Sequence, residues 1–437
     1  MNLRNESEPI GGWPRVPLKH ASRINPEVLS EDTPSGTEIE YVDIAALEGG
    51  AAADLTPKEL TFAAAPSRAR RVLRSGDTII STVRTYLRAV ANFPFVDSNL
   101  IASTGFAVLR PNGTLHPRFA YWAVLSEGFI QSVVAHSEGV SYPAISPTSL
   151  GQLPLTVPPL QLQERIANFL DEKTARIDAL IAEKERLVAT LQRASTELLH
   201  AAVTKGLRGA PMKSSGREWI GDMPAHWTTP YIRFVARLES GHTPSRQHPE
   251  YWVDCNIPWF SLADVWQMRD GRREVVTETA ELVSELGIAN SAARLLPAGT
   301  VMLSRTASVG FSAIMGVPMA TTQDFVNWVC GPQVVPEYLL YVFRSMGAEF
   351  ARLKFGSTHS TIYMPDVAKF SMPLPPVEEQ REIVFAARSR KEKMDALAEL
   401  AQCEAERLRE YRSSLISAAV TGRLNIDDFQ ARQLEAA

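Results

Sequence analysis

The chain has 437 residues, 45% of them apolar and 22% charged, which predicts a folded protein of about two to four domains. Its 45 basic and 49 acidic residues give a net charge of −4, which excludes a uniformly basic nucleic-acid binder but not a local basic groove. Three widely spaced cysteines, a polar start and no apolar run of about 18 residues argue against a disulfide framework, a signal peptide and a membrane span, and predict a cytoplasmic protein.

The first 157 residues predict a mixture of short strands and helices. A turn and a buried strand are predicted over residues 75–81, and a second strand over Phe106–Leu109. A helix that begins at Pro117 follows, and a loop runs on from Gly139. Arginines cluster on both sides of the first strand, so this part of the chain combines a small α+β core with locally positive loops.

A long helix is predicted after Pro158 and Pro159, because two prolines force an extended entry and set the start of the helix. From Ile166 to Ala201 apolar residues alternate at spacings of four and three, with charged residues between them, which is typical of a coiled coil. Leu180 and Leu187 are predicted seam positions. About 36 helical residues would extend about 54 Å, and Gly206 is predicted to end the helix.

The second half of the chain repeats the first. Val157–Ile166 returns as Leu374–Ile383 at an offset of 217 residues (375 − 158), and Ala201–Thr204 returns as Ala418–Thr421 at the same offset. A period this long indicates a duplicated domain pair and not a solenoid. Leu397 and Leu408 are the predicted seam positions of the second helix, and Gly422 its predicted end.

The repeat divides the chain into four predicted segments: globules over 1–157 and 209–371, and helical spacers over 158–208 and 372–437. We predict an α+β fold in which two pseudo-symmetric globules are separated by two long helices that form an antiparallel coiled coil. Antiparallel pairing would place the globules at opposite ends. Pairing of each helix with another subunit remains the alternative.

The chain offers no catalytic constellation and no metal site. The dipeptide Gly-Lys of a phosphate-binding P-loop does not occur, and the Pro-Pro pairs lack the flanking residues of a base-modifying methyltransferase tetrad. His242, His248 and Cys255 have spacings that match no standard zinc site. Binding therefore remains as the role, although residues 1–157 carry 13 basic against 15 acidic residues and residues 209–371 carry 14 against 15.

Taken together, these motifs resemble the specificity subunit of type I restriction–modification enzymes over nearly the whole chain. Each globule ends in Pro-Pro-x-x-x-Gln-x-x-Ile, and each helix closes with Ala-Ala-Val-Thr. The segments Glu218–Trp227, Ser240–Arg246 and Ile257–Phe260 are similar to the family's entry into its second recognition domain. Gly12-Trp13-Pro14 is similar to a shortened counterpart at the front.

The resemblance implies a non-catalytic subunit whose two globules are target recognition domains, each reading one half of a split sequence in double-stranded DNA. The paired helices would set the gap and dock two modification subunits. Those partners would bind S-adenosylmethionine and methylate adenine, and motor/nuclease restriction subunits would add ATP- and Mg-dependent cleavage. This chain itself would bind no cofactor.

The predicted DNA-binding residues are arginines and polar or aromatic side chains in the loops of the two globules, because arginine suits phosphates and guanine edges. They are Arg68, Arg70, Thr82, Arg84, Tyr86, Arg88, Ser141 and Tyr142 in the first globule, and His242, Thr243, Arg246, Arg305, Thr306, Ser308, Thr358 and His359 in the second. Two alternatives remain open: a coiled-coil adaptor whose globules bind proteins, and an enzyme whose site is assembled from dispersed residues.

Overall fold

A computed structural model describes residues 12–47, 56–355 and 360–429, and divides into two compact units. One unit comprises Met1–Glu185 with Gln402–Ala437, and the other comprises Arg186–Ala401. Each unit therefore includes part of both long helices, whereas the four predicted segments separate helices from globules. The α+β class and the duplicated organisation are confirmed.

The first unit contains two four-stranded sheets and one two-stranded pair. Its strands are β1 (Arg15–Pro17), β2 (Ser22–Ile24), β3 (Glu38–Val42), β4 (Lys58–Thr61), β5 (Ala69–Val72), β6 (Asp77–Ser81), β7 (Val90–Phe93), β8 (Leu100–Ser103), β9 (Phe106–Pro111) and β10 (Pro154–Thr156). The sheet orders are β2-β9-β6-β7 and β4-β3-β8-β5, and β1 pairs with β10. All neighbours are antiparallel except β3 and β8.

Helices cover these sheets and complete the first core. They are α1 (Leu18–Ala21), α2 (Pro117–Leu125), α3 (Glu127–Ala135), α4 (Pro147–Gln152) and α5 (Leu160–Lys205), the last of which continues into the second unit. Phe119 and Trp122 of α2 are buried together with Ile166 and Leu170 of α5. The buried apolar face of the long helix thus anchors the globule, and the predicted proline-initiated helix is confirmed.

The second unit repeats this sheet order with additional strands. Its strands are β11 (Met212–Ser214), β12 (Asp222–Pro224), β13 (Ala236–Ser240), β14 (Ile257–Phe260), β15 (Val275–Val276), β16 (Glu281–Val283), β17 (Val301–Ser304), β18 (Ser312–Met315), β19 (Ala320–Thr321) and β20 (Phe325–Cys330). The order β13-β20-β17-β18 corresponds to β2-β9-β6-β7, with β15 added at the edge. In the smaller sheet, the parallel pair β14–β19 corresponds to β3–β8.

The helices of the second unit are arranged like those of the first. They are α6 (Glu285–Ala289), α7 (Pro336–Ser345), α8 (Gly347–Leu353), α9 (Met364–Val367) and α10 (Val377–Val420), which continues into the first unit. Tyr338 and Phe343 of α7 are buried with Val203 of α5 and Ile383 of α10. Both units therefore bury a proline-initiated helix against the long helices.

Within each unit, α5 and α10 run antiparallel. In the first unit Asp178 pairs with Arg412 at 2.8 Å, and six residues further along α5 Lys184 pairs with Glu404 at 2.6 Å, eight residues back along α10. In the second unit Val203 near the end of α5 is buried with Ile383 near the start of α10. The predicted antiparallel pairing is confirmed, and the helices of 46 and 44 residues are longer than the predicted 36.

Three of the four leucines predicted to form the seam do not pack in it. Leu180, Leu187 and Leu397 are exposed to 44%, 43% and 54%, too open for packed seam residues, while Leu408 packs against the first core. The neighbours Ile181 and Ala398 are buried instead. The three leucines therefore lie outside the seam, and their assignment to it is wrong.

Each long helix ends at a glycine in the left-handed region, as predicted. Gly206 has φ = +72° and Gly422 has φ = +76°, a conformation that glycine adopts without steric cost. A Cβ atom at Gly206 would lie 3.1 Å from the ring of Trp227, and one at Gly422 would lie 3.0 Å from the ring of Trp13. The two helix ends are thus built alike, each with a tryptophan over its glycine.

An ion-pair network around the buried Asp77 ties β6 to β9 in the first unit. Asp77 is fully buried, and its carboxylate accepts hydrogen bonds from Nε (2.9 Å) and Nη2 (2.8 Å) of Arg110. Glu27 accepts from Arg74 and Arg110. The hydrogen bonds that Arg110 donates to Asp77 raise the pKa of Arg110, although burial opposes the effect. The network joins groups far apart in sequence and keeps the guanidinium charged.

The network predicts an acid-sensitive contribution from Glu27. Hydrogen bonds from Arg74 and Arg110 lower the pKa of Glu27 below its ordinary value of 4.5. Because the pKa of Glu27 is lower in the folded state than in the unfolded state, its ionised form stabilises the fold fully at pH values above the unfolded-state pKa. This contribution is lost as the pH falls through the folded-state pKa. We expect Glu27→Gln to reduce stability at pH 7 by less than about 1 kcal/mol, since Glu27 is partly exposed.

Urea unfolding of the parent and Glu27→Gln chains at pH 7 and at decreasing pH checks this expectation. The difference between the two chains should narrow as the pH falls below 4.5. Glu31→Gln, at an exposed carboxylate, serves as the control. A difference that stays constant down to acid pH would contradict the assignment.

Candidate nucleic-acid interface

In the first unit, the turn after β6 lies against the loop that precedes α4. Val83 forms an antiparallel bridge with Ala144. The amide of Arg84 donates to the Pro143 carbonyl at 2.8 Å, and the amide of Ile145 donates to the Thr82 carbonyl at 2.9 Å. The structure therefore brings residues 82–88 and 138–144 together. We call this pair of loops the first platform.

Aromatic and cationic side chains project from the first platform. Tyr86 and Tyr142 are 53% and 66% exposed, and the Arg84 guanidinium lies 5.0 Å from the centre of the Tyr142 ring. Ser141 is exposed beside Tyr142. Arg88 donates from Nη2 to Glu127 at 2.8 Å. These residues form a surface with hydrogen-bond donors, positive charge and flat apolar rings, which together suit phosphates and bases.

The backbone of the first platform turns sharply at two arginines. Arg84 and Arg88 have φ values of +50° and +56°, in the left-handed region that residues other than glycine rarely adopt. The 3-10 turn Thr85–Leu87 lies between them. Sparsely populated backbone conformations often occur at binding sites, so this strain is consistent with a functional loop.

Thr82 supports the platform from beneath. Its side chain is buried, and its hydroxyl donates to the Gly105 carbonyl at 2.9 Å. A buried and engaged hydroxyl cannot reach a nucleic acid. The predicted direct contact from Thr82 is therefore corrected to a role in holding the loop.

Arg68 and Arg70 occupy different surroundings. Arg68 donates from Nε to the Tyr41 hydroxyl at 3.1 Å and pairs with Asp43 at 2.7 Å. Its carbonyl accepts from Thr104, next to the Gly105 that Thr82 contacts, so Arg68 lies near the edge of the first platform. Arg70 instead places its guanidinium 5.0 Å from the centre of the Phe62 ring.

The second unit builds the same pair of loops. Thr306 bridges to Thr361, and the amide of Ile362 donates to the Arg305 carbonyl at 2.9 Å. Ala307 has φ = +59° at the position that corresponds to Arg84. Its amide donates to the Ser360 carbonyl at 2.9 Å, as the Arg84 amide does to the Pro143 carbonyl. Residues 304–310 and 360–362 form the second platform, and Ser308 lies within its turn. Thr358 and His359 lie outside the described residues.

A glutamine links the second platform to the loop after β13. The Thr243 hydroxyl donates to Oε1 of Gln323 at 2.7 Å, and Nε of Arg305 donates to the Gln323 carbonyl at 3.0 Å. The amide of the exposed His242 donates to the Thr321 carbonyl at 2.9 Å. His242, Thr243 and Arg305 are thus brought together.

Arg246 has a separate environment. It pairs with Glu281 at 2.6 Å and lies 4.0 Å from the centre of the Trp252 ring. The carboxylate and the indole fix its direction, so it presents an oriented guanidinium edge.

Three supporting residues were not predicted: Tyr41, Glu127 and Gln323, which hold Arg68, Arg88 and the Thr243–Arg305 pair. Only Gln323 has a signal in the sequence, because it falls in the polar run Thr321–Asp324 between two strands. The other two are distant in sequence from the arginines that they orient, and a single sequence does not reveal such pairs. No sequence motif identifies Tyr41 or Glu127 as the partner of an arginine.

The described residues do not contain a group of three or more histidine, cysteine and carboxylate side chains placed to hold a metal ion. In the same part of the chain, no helix has the length and apolarity needed to cross a bilayer.

Comparison with known proteins shows which family this architecture resembles. The family model described as the type I restriction modification DNA specificity domain matches residues 70–188 and 224–386. The type I restriction enzyme MjaIX specificity subunit of Methanocaldococcus jannaschii is 29% identical over 166 residues, which are 38% of this chain and 38% of that relative. The HindI specificity subunit of Haemophilus influenzae is 21% identical over 361 residues, 69% of this chain and 74% of that relative.

Two solved structures share the fold. A chain from a type I R-M system has a TM-score of 0.79 at 23% identity and covers 96% of this chain and 100% of its own length. The HsdS subunit from Thermoanaerobacter tengcongensis has a TM-score of 0.58 at 24% identity and covers 96% and 99%. The two segments that the family model matches make up more than half of the sequence. The chain therefore belongs to the family of type I restriction–modification specificity subunits.

Proposed function

We propose that the chain is the DNA-reading subunit of a type I restriction–modification complex, in which each unit reads one half of a bipartite target. The observation that carries this proposal is the repeated platform. The same turn and loop, joined by equivalent backbone hydrogen bonds, occur on equivalent sheets with different side chains. A common scaffold with two different surfaces suits a protein that recognises two different short sequences.

The antiparallel helices would set the gap between the half-sites and dock two modification subunits. Those partners would hold S-adenosylmethionine and methylate adenine, and this chain would bind no cofactor and carry out no chemistry. Restriction subunits, where present, would add ATP- and Mg-dependent cleavage. The exposed leucines on the two helices support a docking role, since apolar side chains outside the seam are free to meet a partner.

Methylation mapping with platform variants tests the proposal. Cells that express the full chain with its modification subunit should methylate one bipartite motif. Tyr142→Ala should weaken recognition of one half-site by about tenfold or more, as expected for loss of a base contact, and leave the other half intact. Thr243→Ala should do the same to the opposite half-site.

Arg165→Ala is the matched control, because Arg165 is an exposed arginine on α5 that pairs with Asp427 outside the platform. It should leave both half-sites unchanged. A single platform variant that altered both half-sites would contradict the assignment of one half-site to each unit. A protein-binding adaptor, the alternative, would show no sequence-dependent retention on a random duplex pool and no steep salt dependence.

A further inference from the structure

The loop after β13 packs directly on the turn between β19 and β20, at the edge of the second platform. Gly241 is buried there, and a Cβ atom at its position would lie 2.0 Å from the Thr322 carbonyl oxygen and 2.2 Å from Oγ1 of Thr321. Only glycine, which has no side chain, allows this close approach. The loop therefore lies tightly against the turn, and this brings Thr243 within hydrogen-bonding distance of Gln323.

Gln323 is exposed in this turn, and one side of its amide is already engaged. Its Oε1 accepts from the Thr243 hydroxyl at 2.7 Å, and its backbone carbonyl accepts from Nε of Arg305 at 3.0 Å. Because the amide group is planar, an Oε1 atom that faces Thr243 directs Nε2 away from that residue. Gln323 therefore offers the two N–H donors of Nε2 to a ligand, while its oxygen is held by the protein.

The neighbouring Arg305 is also held by protein acceptors. Besides the Gln323 carbonyl, it contacts the Ile362 carbonyl, to which Nη1 donates at 3.4 Å. These contacts orient the planar guanidinium, which carries donors and no acceptor. Gln323 and Arg305 thus place N–H donors side by side at this edge of the second platform.

The four bases differ in how well their major-groove edges match such a group. Adenine presents the N7 acceptor beside the N6 donor, so an unrestrained glutamine amide binds it through both of its ends. Guanine presents two acceptors, N7 and O6, which donors alone can satisfy. Thymine presents one acceptor, and cytosine presents a donor. A glutamine whose Oε1 is engaged is therefore matched to guanine and not to adenine.

We propose that Gln323 reads a guanine in the half-site of the second unit, and that Thr243 sets this preference by engaging the amide oxygen. The inference rests on the proposed function and names the base that one side chain would read. Gln323 would touch the base, whereas Thr243 would act through Gln323 as a positioning residue. The first unit has Thr104 at the corresponding place before β9 (325 − 106 = 323 − 104 = 219), so the two units would differ in what they read here.

Competition binding tests the proposal on the full chain in complex with its modification subunits. The competitors are duplexes of the methylated bipartite motif, with each base in turn at every position of both half-sites. We expect the parent complex to prefer guanine at one position by about tenfold or more, and Gln323→Ala to remove that preference. Thr243→Val keeps the shape of the side chain but removes its donor, so it should shift the preference at the same position toward adenine.

Two further variants serve as controls. Thr243→Ser retains the hydroxyl and should retain the preference for guanine. Gln333→Ala makes the same change as Gln323→Ala at an exposed glutamine beyond the other end of β20, and it should alter no preference.

The proposal fails if Gln323→Ala leaves every base preference unchanged, or if the preference that it removes is for another base. Loss of binding to all duplexes would also overturn it, because the side chain would then support the fold and not read a base. So would equal effects of Thr243→Val and Thr243→Ser. None of these results touches the proposed function. A parent complex without any preference for a bipartite sequence would refute the proposed function, and this inference with it.

Discussion

Replacement of Gln163 by leucine is expected to destabilise the first unit by about 3 kcal/mol or more. Gln163 is fully buried near the start of α5. Its Oε1 accepts from the His116 amide at 2.7 Å, and its Nε2 donates to the carbonyls of Thr114 at 3.0 Å and Pro158 at 2.7 Å. Leucine has a similar size but would leave one buried amide and two carbonyls without this partner.

An equivalent buried glutamine makes the same set of hydrogen bonds in the second unit. Gln380 is fully buried and accepts from the Val335 amide at 2.9 Å, while its Nε2 donates to the Gln333 and Pro375 carbonyls. Each glutamine ties the first turn of a long helix to the segment that begins α2 or α7. We therefore expect Gln380→Leu to destabilise the second unit by a similar amount.

Chemical unfolding followed by hydrogen exchange measures both effects separately, because exchange reports the two units residue by residue. Gln161→Leu is the control, since Gln161 is exposed on the same turn of α5. It should change stability by less than about 0.5 kcal/mol. Equal effects of Gln161→Leu and Gln163→Leu would mean that the buried hydrogen bonds contribute nothing specific.

The repeat made the architecture predictable. The Pro-Pro-x-x-x-Gln pattern recurs at a fixed offset, and both copies begin a long helix close to the predicted residue. The seam was predicted less well for a local reason. Leu180-Ile181 and Leu187-Val188 are adjacent apolar pairs, so spacings of four and three fit two registers. Packing buries Ile181, whereas the more apolar Leu397 is exposed beside the buried Ala398.

The candidate site was predictable only in part. Residues 82–88 and 138–144 were identified separately as polar loops, but their juxtaposition depends on a bridge between Val83 and Ala144, 61 residues apart (144 − 83). Residue type alone did not reveal that Thr82 points inward. It also did not reveal which carboxylate each arginine meets, because such pairs form only when the sheets have assembled.

Replacement of Asp77 by asparagine is expected to destabilise the first unit by about 2–4 kcal/mol. Breaking one side of a buried ion pair leaves the other charge without its partner, at a cost of about 3–5 kcal/mol. The lower range applies here because Arg110 is partly exposed and also contacts Glu27. The Asp77 carboxylate further accepts from the Arg74 amide at 2.8 Å, and the asparagine amide can replace only part of these contacts.

Urea unfolding of the first unit measures this loss, with Asp97→Asn as the control at an exposed aspartate. A double-mutant cycle separates the pair from its surroundings. Arg110→Met in the Asp77→Asn background should cost less than it does in the parent, because the guanidinium that it removes has already lost one of its two carboxylate partners. Strictly additive effects of the two substitutions would show that the ion pair is not coupled, and the stabilisation would then come from packing of β6 against β9.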